Sequence, residues 1–107
     1  GYGTAMEMAI TGDPITAEEA ADHGLVSRLA EPGDALGEAL ALAERIARNA
    51  PLAVAASKQL IRATQGATEE ELWKIQRPHM ANVWKSEDAK EGPRAFAEKR
   101  PPEWTGT

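Results

Sequence analysis

Apolar positions recur three and four apart along most of this chain, and glycine- or proline-bearing stretches interrupt the pattern. Tyr2, Ala5, Met6, Ala9 and Ile10 share one helical face, so a short amphipathic helix is expected over residues 3–11, closed by Gly12. Thr16 and Glu19 have the spacing of a capping box, in which each side chain bonds the other's backbone N–H. A second helix is expected over 17–23, with Gly24 at its end. Leu25 to Leu29 is brief, apolar and bounded by glycine and proline, which predicts a strand. It is the one strand candidate in the chain, and a strand needs a partner for its backbone groups.

The second half repeats the helical period. After the turn at Pro32-Gly33-Asp34, Leu36, Leu40, Ala43 and Ala47 mark a helix over 35–48, widened by Ala39, Leu42 and Ile46. Asn49 can end it, and Pro51 suits the first turn of the next helix, where its missing N–H costs nothing. Leu52, Ala56 and Leu60 line that helix, and Gly66 is expected to close it. Thr68 and Glu71 form a second capping box, followed by Leu72, Ile75, Met80, Val83 and Trp84 through about Lys85. Pro78 removes the bond to the Lys74 carbonyl, so a kink is expected there. Ser86 is a suitable N-cap for a last helix, and Glu87, Asp88 and Glu91 place negative charge at its positive end. Pro93 raises the prospect of a fresh start within it, and Pro101-Pro102 stops it. The expected fold is mainly α, with at most one short strand. The apolar faces are broader than so short a chain covers by itself, as in a helical layer that packs on something else.

Composition narrows the partners. The chain has 107 residues, one domain at most, and a formal charge of −5, which argues against nucleic acid. No apolar run approaches the roughly 20 residues that span a bilayer, so no membrane role is expected. The absence of cysteine removes disulfide and thiolate chemistry and suits a reducing compartment; a cytoplasmic location is the expectation.

Four groups of residues are candidates for chemistry. Glu69-Glu70-Glu71 and Glu18-Glu19 pair carboxylates, but all lie in the first turns of predicted helices, where acidic residues are stabilising without any catalytic role. His23 and His79 are far apart in sequence and show no metal-ligand spacing, so no metal site is expected. Trp73 and Trp84 suit core or interface positions, and Trp104 suits an anchor for the tail. Phe96 and Lys99, three apart, offer a flat apolar ring beside a mobile cation. Spacing alone favours a packed Phe and a solvated Lys. Arg100 is a weaker candidate, because a cation at a helix C-terminus needs no ligand to justify it.

The segment from Ser86 to Gly106, SEDAKEGPRAFAEKRPPEWTG, resembles the C-terminus of the enoyl-CoA hydratase/isomerase (crotonase) superfamily. MAITGDPITAEEAADHGLV (Met8 to Val26) and IARNAPLAVAASKQL (Ile46 to Leu60) resemble upstream stretches of that family, in the right order. The resemblance covers essentially the whole chain and implies that residues 1–107 are the C-terminal helical (lid/assembly) region, with the β-β-α spiral core absent. A partner for the predicted strand would belong to that missing part. The implied enzyme adds water to a 2-enoyl-CoA thioester in fatty-acid or related acyl-CoA metabolism. Backbone N–H groups hold the thioester oxygen as it becomes an enolate, and no cofactor is needed beyond the coenzyme A thioester substrate. The catalytic groups implied by the family map onto none of these residues, so this chain is expected to carry no catalytic residue and to be inactive alone. Phe96 and Lys99 match the aromatic and Lys that the family's last helix lends to the nucleotide end of coenzyme A, often across a subunit contact. A homo-oligomer is expected. An isomerase or another CoA-enolate enzyme of the family is the alternative, as is a non-catalytic helical assembly module. A shift in melting temperature with CoA would separate the last from the others.

Overall fold

The computed structural model describes all residues from Gly1 to Thr107 and contains six helices and no strand. The chain falls into two compact units, Gly1–Ala41 and Leu42–Thr107.

The first unit holds α1 (Tyr2–Thr11), α2 (Ala17–Asp22) and the beginning of α3 (Ala35–Ala47). Gly12 ends α1 in the left-handed region at φ 74°, its N–H bonded to the Met8 carbonyl. The Thr16–Glu19 capping box forms in both directions: Thr16 N–H donates to Glu19 Oε2 at 2.8 Å, and Glu19 N–H to Thr16 Oγ1 at 3.2 Å. Such a cap contributes about 1 kcal/mol, which matters for a helix of six residues. These bonds lower the Glu19 carboxyl below its ordinary pKa, the Thr16 backbone N–H first and its hydroxyl second.

The strand expected over Leu25 to Leu29 does not form. Gly24, at φ 72°, turns the chain back over α2, and the N–H groups of Leu25 and Val26 both bond the Ala20 carbonyl. The segment's first donors are thereby used by the end of a helix, and no neighbouring strand offers a ladder for the rest. Leu25, Val26 and Leu29 are exposed.

The second unit contains the end of α3, then α4 (Pro51–Ala63), α5 (Glu69–Lys85), α6 (Asp88–Glu98) and a C-terminal tail. α4 packs against α5, and α5 against α6. Asn49 closes α3 by donating its side-chain amide to the Arg45 and Ile46 carbonyls. Pro51 opens α4 as expected. That helix stops at Ala63, short of Gly66, because the Thr64 hydroxyl takes the Ile61 carbonyl at 2.6 Å. The Thr68–Glu71 capping box starts α5, which continues as one helix past Pro78 to Lys85. Pro93 likewise lies inside α6, which begins at Asp88 and makes no fresh start at the proline. Ser86 supplies the cap: its extended backbone leaves the hydroxyl free to accept from Ala89 N–H at 3.1 Å and donate to the Val83 carbonyl at 2.7 Å.

The core of this unit is thin. Its buried residues are Ala56, Ala95, Ser86 and Asp88, and no large side chain is fully enclosed. Ile61, Trp73, Trp84 and Phe96 face outward. The order of the C-terminal end therefore rests heavily on polar contacts.

Candidate functional site at the end of the last helix

Two carboxylates on α6 organise the tail. Asp88, only 4% exposed, accepts from Thr105 N–H at 2.7 Å, from Thr105 Oγ1 at 3.3 Å and from Gly106 N–H at 3.1 Å. One turn along, Glu91 accepts both ends of the Arg100 guanidinium, at 2.6 and 3.0 Å, and Glu103 N–H at 2.9 Å. Asp88 and Glu91 are three residues apart and so share a helix face, which is why one stretch of tail reaches both. Between them the tail turns Trp104 inward. Its indole N–H donates to the Arg48 carbonyl at 2.8 Å, and its ring lies 3.4 Å from where a Cβ on Gly92 would stand. Trp104 is the tail's anchor, as its position after two prolines suggests.

The electrostatics follow from these bonds. The Arg100 guanidinium, together with Glu103 N–H, holds the Glu91 carboxyl down at a pKa of about 2. Glu91 and Glu98 in turn push the Arg100 guanidinium above its ordinary value. Arg100 is committed on three sides, since Nε also meets Glu98 Oε2 at 2.6 Å. It is not a free cation, in keeping with its weaker standing as a ligand group.

Phe96 and Lys99 sit at the other limit of exposure. Phe96 is 87% exposed in the last turn of α6. Lys99 is also exposed and makes no ion pair, whereas Lys74, Lys90 and Arg100 do. The structure alters one expectation here. Lys99 does not continue the helical face of Phe96: α6 ends at Glu98, and Lys99 adopts φ 55°, ψ 36°, as the one non-glycine residue with positive φ. Its N–H bonds the Phe96 carbonyl at 3.2 Å, and Arg100 N–H bonds the Ala95 carbonyl at 3.1 Å. This is the usual closing turn of a helix, in which glycine normally takes the left-handed place. Phe96 and Lys99 thus share the end of α6 but are presented from different backbone conformations.

Several of the remaining candidates serve local structure. Glu71 serves the Thr68 cap, Glu70 pairs with Lys74 at 2.7 Å, and Glu69 accepts the Trp73 indole N–H at 3.3 Å. His23 faces Thr4 Oγ1 at 3.4 Å. Asp88 and Glu91 are the residues whose role the sequence concealed. They read as helix-dipole charges, and the only hint otherwise was an Arg and a Thr-Gly pair beyond the helix end.

Comparison with known proteins places this geometry in a family. The whole chain, residues 1–107, matches the family described as enoyl-CoA hydratase/isomerase. The chain belongs to the enoyl-CoA hydratase/isomerase, or crotonase, superfamily and corresponds to its helical C-terminal region. It is 48% identical over 101 residues to the enoyl-CoA hydratase EchA19 of Mycobacterium tuberculosis, covering 94% of this chain and 38% of that protein. Carnitinyl-CoA dehydratase of Salmonella arizonae is 46% identical over 104 residues, covering 94% of this chain and 40% of that one. Among solved structures, enoyl-CoA hydratase EchA1 from Mycobacterium marinum matches with a TM-score of 0.94 and 52% identity, over 99% of this chain and 42% of that one. The chain thus spans about two fifths of the length of these relatives.

Proposed function

We propose that this chain is the C-terminal part of an enoyl-CoA hydratase that adds water to a 2-enoyl-CoA thioester. Its own contribution is to hold the coenzyme A end of the substrate. The observation that carries the second statement is the pairing of an exposed ring, Phe96, with an unpaired cation, Lys99, on a helix end clamped by its own tail. The ring can pack on the adenosine portion, and the ammonium can meet a phosphate. Glu19 and Glu71 cap helices, Glu70 pairs with Lys74, and Asp88 and Glu91 bind the tail, which supports placing the acid–base work elsewhere. The catalytic groups are assigned to the remainder of the enzyme. The relatives' names favour water addition or elimination over a double-bond shift, because a hydratase and a dehydratase run the same exchange in opposite directions.

The exposed Leu36, Leu40, Ile61 and Trp84 support a further part of the reading, that these helices pack against other protein, including other copies of the chain. No helix is long and apolar enough to cross a membrane. The lack of cysteine supports a cytoplasmic working place.

The test is an enoyl-thioester hydration assay, following loss of conjugated absorbance, on this chain and on the full-length protein side by side. Activity confined to the full-length protein supports the reading. Activity in the 107-residue chain contradicts the assignment of the catalytic groups.

A further inference from the structure

We propose that Glu91 and Arg100 are positioning residues that hold Lys99 in its left-handed conformation and keep its ammonium free for an anionic ligand. The inference rests on the reading of Lys99 as a ligand group. A non-glycine residue at positive φ is disfavoured by roughly 1–2 kcal/mol, so the surrounding structure must over-determine it. The over-determination is visible on both sides of Lys99. Glu98 before it and Arg100 after it are tied together, Nε to Oε2 at 2.6 Å. Arg100 then reaches back to both oxygens of Glu91, and its Nη1 also donates to the Pro101 carbonyl at 3.1 Å. A change of backbone conformation at Lys99 would displace Arg100 relative to Glu91 and Glu98 and disturb this set.

The same contacts decide where the positive charge is available. Glu98 is Lys99's immediate neighbour in sequence, and Glu91 lies on the helix that Lys99 ends; a carboxylate left unpaired here is a potential partner for the ammonium. Arg100 occupies both, and its planar fork meets the two Glu91 oxygens in a way a lysine cannot. Lys99 is left without a carboxylate partner at this helix end. The loss of Arg100's fork would therefore act on the ligand through Lys99, both by releasing its backbone and by freeing two competing carboxylates.

The experiment is a double-mutant cycle in the full-length protein, with coenzyme A titrated calorimetrically and the melting temperature measured beside it. Lys99→Met and Glu91→Gln should each raise the Kd for coenzyme A roughly three- to tenfold, as expected for loss of one exposed charge-assisted contact. The double variant should be no worse than Lys99→Met alone. Arg100→Lys, which keeps the charge and loses the fork, should behave as Glu91→Gln and provides a second route if that variant folds poorly. Independent, multiplying effects would overturn the positioning role, as would a lowered melting temperature with unchanged Kd. An unchanged Kd in Lys99→Met would overturn the ligand reading itself and the inference with it.

Discussion

Two helices in this protein end by the same hydrogen-bond pattern with different residues at the critical place. At the end of α2, Gly24 takes the left-handed position, with its N–H on the Ala21 carbonyl and Leu25 N–H on the Ala20 carbonyl. At the end of α6, Lys99 takes it, with its N–H on Phe96 and Arg100 N–H on Ala95. Glycine adopts that conformation freely, so the first end needs no support, and none of its neighbours supplies an ion pair. Lysine does not, and the second end is surrounded by Glu91, Glu98, Arg100 and the tail. On the proposed reading of Lys99, the second end gives up some stability for a charged side chain. A glycine at 99 would make the turn more easily and would carry no charge.

Changes at the two ends and at the tail's anchor on α6 should have graded effects. The largest is expected from Asp88→Ala, which leaves the N–H groups of Thr105 and Gly106 without their buried acceptor. It should cost about 1–3 kcal/mol in denaturant unfolding and expose Trp104 by fluorescence. Gly24→Ala forces an L-residue into the left-handed region with no latch to hold it, and should cost about 1–2 kcal/mol. The readout is faster amide exchange at Leu25. Lys99→Gly should act in the opposite sense and stabilise the end of α6, by about 1 kcal/mol, seen as a higher denaturant midpoint. Equal destabilisation by the two glycine-site changes would break the contrast.

The smallest effect is expected from pH. The Glu91 carboxyl titrates in the folded protein near 2, below its ordinary 4.5. A depressed folded value means that the contribution is complete above the ordinary value and is lost as pH falls through the folded one. The tail should therefore stay docked at pH 5 and loosen between about 4.5 and 2, followed by amide exchange at Glu103. Glu91→Gln should remove that dependence. An unchanged profile in the variant would assign the transition to another group.

Much of this was legible in the sequence, and the reasons differ by residue. Both capping boxes form because Thr16–Glu19 and Thr68–Glu71 are local, reciprocal interactions that need only four residues. Trp104 was legible as an anchor because two prolines detach it from the helix, although the Arg48 carbonyl it bonds lies 56 residues away. Leu25 to Leu29 misled because an apolar run between breakers fits a strand equally well when its donors are not yet assigned. The structure assigns two of them to Ala20. Pro93 misled in the other direction. Pro93 lies within α6, whose start is fixed by Ser86. Family resemblance pointed to Phe96 and Lys99, but nothing in it pointed to the left-handed turn at Lys99. The Glu91–Arg100 pair beside that turn spans nine residues, and no local pattern announces it.

The most direct test of the trade-off at Lys99 is the affinity of the Lys99→Gly full-length protein for coenzyme A, measured beside its denaturant midpoint. The expected variant is more stable and binds coenzyme A more weakly. A variant that gains stability and binds as tightly as the parent would show that the left-handed lysine is not kept for its charge.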